Sequence, residues 1–221
     1  MNRIESKEIF TIPSSIAHEQ IIGYKYPWQA IEKIPDIISK IIPTLGSEYE
    51  KIGEGVYVFK GVKIPNSVEI LGRAIICEGA EMRHGAYLRG EVIIGRGCVV
   101  GNSCEIKSSI LYDKACVPHF NYVGNSILGY GSHLGAGVIL SNLKGNKSSA
   151  KVHLNGQILD TGLRKFGAVL GNHVEVGCGA VLNPATIVLS NTQIYPLSSV
   201  RGTIPESSIY KGDGKIVKKT T

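Results

Sequence analysis

The chain has 221 residues, a formal net charge of +6, five cysteines, 27 glycines and only 7% aromatic residues. That length allows one domain with a full core. No stretch is apolar enough to span a membrane, and no basic run is interleaved with aromatics on which bases could stack, so neither a membrane nor a nucleic acid is an expected partner. The first residues, MNRIESKEIFTIPSS, lack the apolar core of a secretion signal. The odd cysteine count, without CxxC or Cys/His ligand spacing, predicts free thiols, no zinc site and a reducing, cytoplasmic setting.

Residues 1–23 show no pattern and read as a loose lead-in. From Pro27, the residues Trp28, Ile31, Ile34, Ile37, Ile38, Ile41 and Ile42 recur every three or four positions, the period of a helix with one apolar stripe. Pro27 suits its start, Pro43 its stop, and Pro35 predicts a split or kink. The stripe is expected to pack on the following structure or to cap its open end, so residues 1–51 form a lead-in and helical cap.

Ile52, Val58, Ile64, Ile70, Ile76, Met82, Leu88, Ile94, Val100 and Ile106 then follow at intervals of six. The residue four after each is small or β-branched, including Cys98, Cys104 and, after Tyr112, Cys116, and both positions of every hexad are expected to face inward. A six-residue period of this length is the mark of a solenoid of short parallel strands, three hexads to a coil and about seven coils in all. The period slips at Tyr112, breaks at Pro118 and resumes at Tyr122, Leu128, Leu134 and Leu140. Residues 144–167 carry no hexads and read as a loop or hairpin excursion of the kind that often carries function. A second run, Leu170, Val176, Leu182, Val188, Ile194 and Val200, completes a solenoid over residues 52–206. Residues 207–221 form a basic tail with Lys211, Lys215, Lys218 and Lys219, either solvated or attracting an anionic small molecule.

The break is the informative place. It reads Pro118-His119-Phe120-Asn121-Tyr122-Val123-Gly124. A histidine beside a defect in a rigid scaffold suits acid/base work, against the plainer reading of a structural histidine.

At this point residues 85–142 resemble the hexapeptide-repeat acyltransferase family. The text GAYLRGEVIIGRGCVVGNSCEIK, then HFNYVGNSILG and LGAGVILSN, is similar to the acetyltransferase half of the bifunctional enzyme that makes UDP-N-acetylglucosamine. It is also similar to the C-terminal domains of archaeal sugar-1-phosphate nucleotidylyltransferases, the group that DTGLRKFGAVLG resembles. The resemblance implies an all-β, left-handed parallel β-helix. It implies an acetyl-CoA-dependent N-acetyltransferase acting on glucosamine-1-phosphate or galactosamine-1-phosphate, with no metal required. Arg89 and Lys107, eighteen residues apart and hence one coil apart, would hold the sugar phosphate. His119 would be the general base, Tyr122 would orient the sugar or its phosphate, Asn142 would bind near the amine, and the Ala136 N–H would stabilise the oxyanion. Lys147 and Lys151 are both candidates for the family's loop lysine. CoA would lie in a groove between subunits, along the second hexad run and Cys178, with Arg201 and Lys211 as candidates for its phosphates. A homotrimer is implied, because the site draws on adjacent chains.

His133 stands where the bacterial enzyme has an asparagine in its sugar site, and Leu143 where it has a tyrosine. These departures keep a second reading open: a catalytically inactive protein that binds or senses a sugar phosphate or nucleotide sugar. Nothing resembles the nucleotidyltransferase half, so nucleotide-sugar synthesis is not expected of this chain alone. A zinc hydratase on the same scaffold needs paired histidines, and His84, His119, His133, His153 and His173 show no such spacing.

Overall fold

The computed structural model describes residues 3–220. Short strands meet at corners in which glycine, or a residue forced to positive φ, bends the chain onto the next face. Each strand pairs in parallel with its counterparts in the coils above and below, making a three-faced prism. The first face contains Glu69–Leu71, the start of Tyr87–Ile94, the start of Glu105–Leu111, Tyr122–Gly124 and Ile139–Leu140. Down the second face, Val58, Ile76, Ile94, Leu111, Leu128, Leu170, Val188 and Ile204 pair rung to rung, eight rungs where the hexad count predicts seven coils. The third face contains Glu81–Met82, Val99–Asn102, Cys116–His119, His133–Leu134 and Glu175–Val176. Inward residues of all three faces merge into one aliphatic core.

The repeat slips earlier than its sequence suggests. Arg89 pairs with Lys107, eighteen residues on, but Val92 pairs with Ser109, seventeen on. The corner at Ser108 is therefore one residue short, and the next corner, at Asn125, is equally short, so Ile110 pairs with Ile127. Losing one residue reverses which side chains face the core. Leu111, Val117 and Val123 point inward, while Cys116 and Tyr122 are half-buried on the outer surface, contrary to the inward places predicted for them. Tyr112 leaves the prism core and joins a second cluster outside it. Ile52 is exposed, and the inward series opens at Val56 and Val58.

That second cluster accounts for the N-terminal segment. Helices α1 (Ser6–Ile9), α2 (His18–Ile22), α3 (Pro27–Ile31) and α4 (Ile34–Ile41) lie along the flank of the second face rather than across an open end. Pro35 splits the predicted helix in two and sits in the first turn of α4, where its missing N–H costs no bond. Outward-facing Ile75, Ile93, Ile110, Ile127, Val169 and Ile187 form a continuous apolar stripe, and Ile34, Ile37, Ile38 and Ile41 of α4 share the cluster with them. Arg73 pins α4, donating to Pro35 O at 3.0 Å and Ser39 Oγ at 2.7 Å while pairing with Glu91 at 2.8 Å. Residues 4–23 are not a loose lead-in: Ile4, Ile9, Phe10, Ala17 and Ile21 are buried, and Phe10 stacks on Tyr112 with centroids 4.8 Å apart.

The excursion forms a hairpin of Lys151–Leu154 and Gln157–Asp160, with Ala150, Val152, Leu163 and Phe166 buried in the flank cluster. The basic tail contributes Ile216–Lys218, antiparallel to Ser208–Tyr210, and Tyr49–Gly53 is likewise antiparallel to Val56–Phe59. All five cysteines are free. No described helix is long and apolar enough to cross a membrane.

Candidate functional site

Parallel register places Arg89 directly beside Lys107 on the outer surface of the first face. Arg89 Nη1 bonds Glu105 Oε1 at 3.0 Å, which orients the guanidinium. A third cation joins them. The excursion ends where Leu143 bridges to Lys165, Phe166 N–H donates to Asn142 O at 2.9 Å and Gly167 N–H to Asn125 O at 3.0 Å. These bonds return Lys165 to the prism, where its side chain meets that of Lys107. Lys165 was not among the lysines singled out from sequence, although it lies inside the DTGLRKFG text. Of the two candidates chosen instead, Lys147 is exposed in a turn at φ 58° and Lys151 lines a different pocket.

Burial, then the charges of Lys165 and Arg89, hold the Lys107 ammonium below the ordinary lysine range, with Glu105 opposing them. Phosphate affinity is therefore expected to fall on the alkaline side at a lower pH than an ordinary lysine would dictate. Lys165→Ala removes one repelling charge and should move that fall to higher pH. Titrating inorganic phosphate between about pH 8 and 11 checks this; a midpoint that stays put or moves downward refutes it.

Gly124 continues the Arg89–Lys107 column by one rung. A Cβ there would lie 2.6 Å from Tyr122 Oη and 2.8 Å from Asn142 Nδ2, so the bare glycine lets these two groups close over the strand. Asn142 Nδ2 donates to Asn125 Oδ1, at 2.6 Å. Burial, followed by the Glu105 charge, pushes the Tyr122 phenol up, while Arg89 and the bond to Asn142 pull it down. Arg89, Glu105, Lys107, Tyr122 and Asn142 thus form one connected polar surface. Gly124→Ala is expected to displace Tyr122 and Asn142 and raise KM for a sugar-phosphate substrate about tenfold, the worth of one hydrogen bond. Steady-state kinetics beside a thermal melt would show it; a large loss of stability at unchanged KM would count against the assignment.

The other part of the site is a corner. Gly137 N–H donates to His119 O at 2.9 Å, Gly179 N–H to Ala136 O at 2.8 Å and Leu197 N–H to Cys178 O at 2.9 Å. These bonds stack His119, Ala136 and Cys178 in successive coils along one edge, with rungs about 4.8 Å apart. Asn121 braces the corner from inside: its Oδ1 accepts His119 N–H at 3.0 Å and its Nδ2 donates to Gly135 O at 2.8 Å. Asn121 is buried and was not singled out from sequence, where HFNYVG gives no sign that its amide points inward. His119 itself is exposed, three residues before Tyr122 in the same coil.

On the third face beside this edge, His133 Nδ1 meets Glu175 Oε2 at 2.9 Å. Both line an open groove of about 650 Å³ with Cys178, Ile194 and Tyr195. Arg201 lies elsewhere, in a pocket with Lys144 and Lys151 rather than Lys211. Lys211 sits in the turn of the C-terminal hairpin, its N–H bonded to Lys215 O. The chemistry available is consequently concentrated in two adjoining places. One is a three-cation surface suited to a phosphate dianion. The other is an edge that sets an imidazole one coil from the Ala136 backbone.

The profile of the family described as GMPPB C-terminal domain matches residues 70–204. The chain is similar to the bifunctional sugar-1-phosphate nucleotidylyltransferase/acetyltransferase of Sulfurisphaera tokodaii, 30% identical over 166 residues that cover 67% of this chain and 41% of that protein. It is also similar to the bifunctional protein GlmU of Methanococcus vannielii, 33% identical over 197 residues, 87% of this chain and 47% of that protein. The chain therefore spans less than half the length of these two relatives. A solved Bacillus cereus protein assigned as an acetyltransferase superposes with a TM-score of 0.53 at 14% identity, covering 71% of this chain and 86% of that one. This last likeness shows a shared fold.

Proposed function

The chain belongs to the GMPPB C-terminal domain family, and from that premise we propose that it transfers an acetyl group from acetyl-CoA to the amine of an amino-sugar 1-phosphate. The names of its relatives pair sugar-1-phosphate chemistry with acetyl transfer. The observation that carries the reading is the stacking of His119 and Ala136 in neighbouring coils, on the edge that leads into the face bearing Arg89 and Lys107.

In this reading Arg89, Lys107 and Lys165 hold the phosphate dianion by charge-assisted bonds. The Tyr122 hydroxyl and Asn142 amide fix the sugar so that its amine faces the edge. Acetyl-CoA, when bound, supplies an acyl thioester. His119 takes a proton from the amine as its nitrogen bonds the acyl carbon, and the Ala136 N–H donates to the oxygen that becomes negative. His119 then returns the proton to the thiolate released when the C–S bond breaks. Cys178, beside this edge in the groove with His133, would lie along the donor rather than react with it. Phe120, 61% exposed, and Leu197, 83% exposed, flank Gly137 and Gly179 on the edge. An apolar rim of this kind supports assembly with further copies, a homotrimer by the family resemblance.

The test is release of free CoA thiol with glucosamine-1-phosphate and galactosamine-1-phosphate. Release that depends on His119 supports the reading. Absence of release with either sugar, together with tight sugar-phosphate binding, favours the inactive binding protein. The pairing of His133 with Glu175, in place of a free amide, is the observation behind that second reading.

A further inference from the structure

The column that begins at Arg89, Lys107 and Gly124 continues through Ser141 and Asn183 to Arg201, one rung at a time. Arg201 is four rungs beyond Lys107, roughly 19 Å at strand spacing. One phosphate cannot reach both. Arg201 has its own surroundings: it lines a small pocket with Lys144, Lys151, His153, Ile158 and Pro184. An adjoining open space shares Lys144, Pro184 and Arg201 and adds Ser141, Gly145 and Asn146.

We propose that Lys144, Lys151 and Arg201 form a second anion site, built by the excursion hairpin against the end of the prism, that takes a diphosphate group. Among the described residues lining either space there is no carboxylate. Asp160 stands opposite Lys151 in the hairpin and accepts Ser149 Oγ at 3.1 Å and Gly162 N–H at 3.0 Å, and its charge also reaches Lys151 and Lys144. Two of the three cations have fixed partners. Lys144 Nζ donates to Ser149 O at 2.9 Å, and Arg201 Nη2 donates to Asn183 Oδ1 at 3.4 Å. Thr203 Oγ1 donates to His153 O at 2.7 Å, which fastens the hairpin to the last coil. A forked guanidinium between two point charges matches two linked phosphoryl groups better than one carboxylate. Ile158, 60% exposed on the rim, offers an apolar surface to whatever carries the diphosphate.

A diphosphate occurs both in CoA and in nucleotide sugars, and the site is defined by the chemistry they share. It has no residue in common with the Arg89 cluster, and Arg201 is a residue that the family resemblance also offers to the CoA phosphates. Calorimetric titration of the full chain tests it in an Arg89→Ala/Lys107→Ala/Lys165→Ala background, which removes all three cations of the first cluster. Inorganic pyrophosphate should bind there at one site per chain, and adding Lys144→Ala and Arg201→Ala should weaken it at least tenfold with an unchanged thermal midpoint. CoA and UDP, titrated into the same proteins, identify the carrier as the one that loses the same factor; equal losses for both mean that only the diphosphate is read. Absence of pyrophosphate binding in that background, or affinity unchanged by the two further substitutions, overturns the proposal.

Discussion

His119→Ala is expected to slow acetyl transfer to an amino-sugar 1-phosphate by about 10²–10⁴-fold, the usual contribution of a positioned general base. Sugar-phosphate affinity should change little, since Arg89, Lys107 and Lys165 lie on the neighbouring face. The imidazole is exposed, and the corner is held by its backbone N–H on Asn121 Oδ1 and its carbonyl under Gly137 N–H. The variant should therefore fold and melt as the parent does. Asn121→Ala is the instructive contrast. It leaves the imidazole in the chain but removes the buried brace, so it should lower both stability and rate. Thiol release at saturating sugar, paired with a melt for each variant, separates the two effects. A His119→Ala protein retaining more than about a tenth of the parent rate would remove the imidazole from the reaction.

The second large effect concerns the flank. Phe10→Ala should cost about 3–5 kcal/mol of stability. Phe10 is 1% exposed and lies nearly parallel to the Tyr112 ring, at 13°. Tyr112 in turn is fully buried, with its hydroxyl 3.5 Å from His18 Nδ1. Truncation opens a void between α1 and the prism that neither rigid partner can fill. A urea midpoint unchanged by the substitution would mean that residues 4–23 do not pack on the prism. Phe10→Leu, which keeps much of the volume, should cost distinctly less.

The scaffold was legible in the sequence because hexads repeat a local requirement: an inward aliphatic residue, then a small one, then a corner. The second run, from Leu170 to Val200, sits inward as its period predicts. What the period could not show was a corner short by one residue. Ser108 is an unremarkable serine in sequence, yet its corner turns Cys116 and Tyr122 outward. Nor did the hexads mark the outward isoleucines of AII and VII as covered, although strands apolar on both faces signal burial on both sides. Residues 4–23 hid their helices because each is one turn long, too short for a periodic stripe. In the site, Arg89 and Lys107 were singled out by the family resemblance, and coil arithmetic made them neighbours. Lys165 was not, because its approach depends on how an excursion without repeats returns to the prism.

The two hairpins that flank the coils have a consequence for solubility. A stack of parallel strands offers its terminal rungs as templates, and a second molecule could add there to grow a fibre. Here Tyr49–Gly53 reverses direction on the first rung of one ladder, and Ile216–Lys218 does so on the last rung of another. An antiparallel closing strand presents an incoming parallel coil with the wrong bonding pattern, and the second of these strands also carries the charge of Lys218. Like-charge repulsion at Lys218 adds to that mismatch.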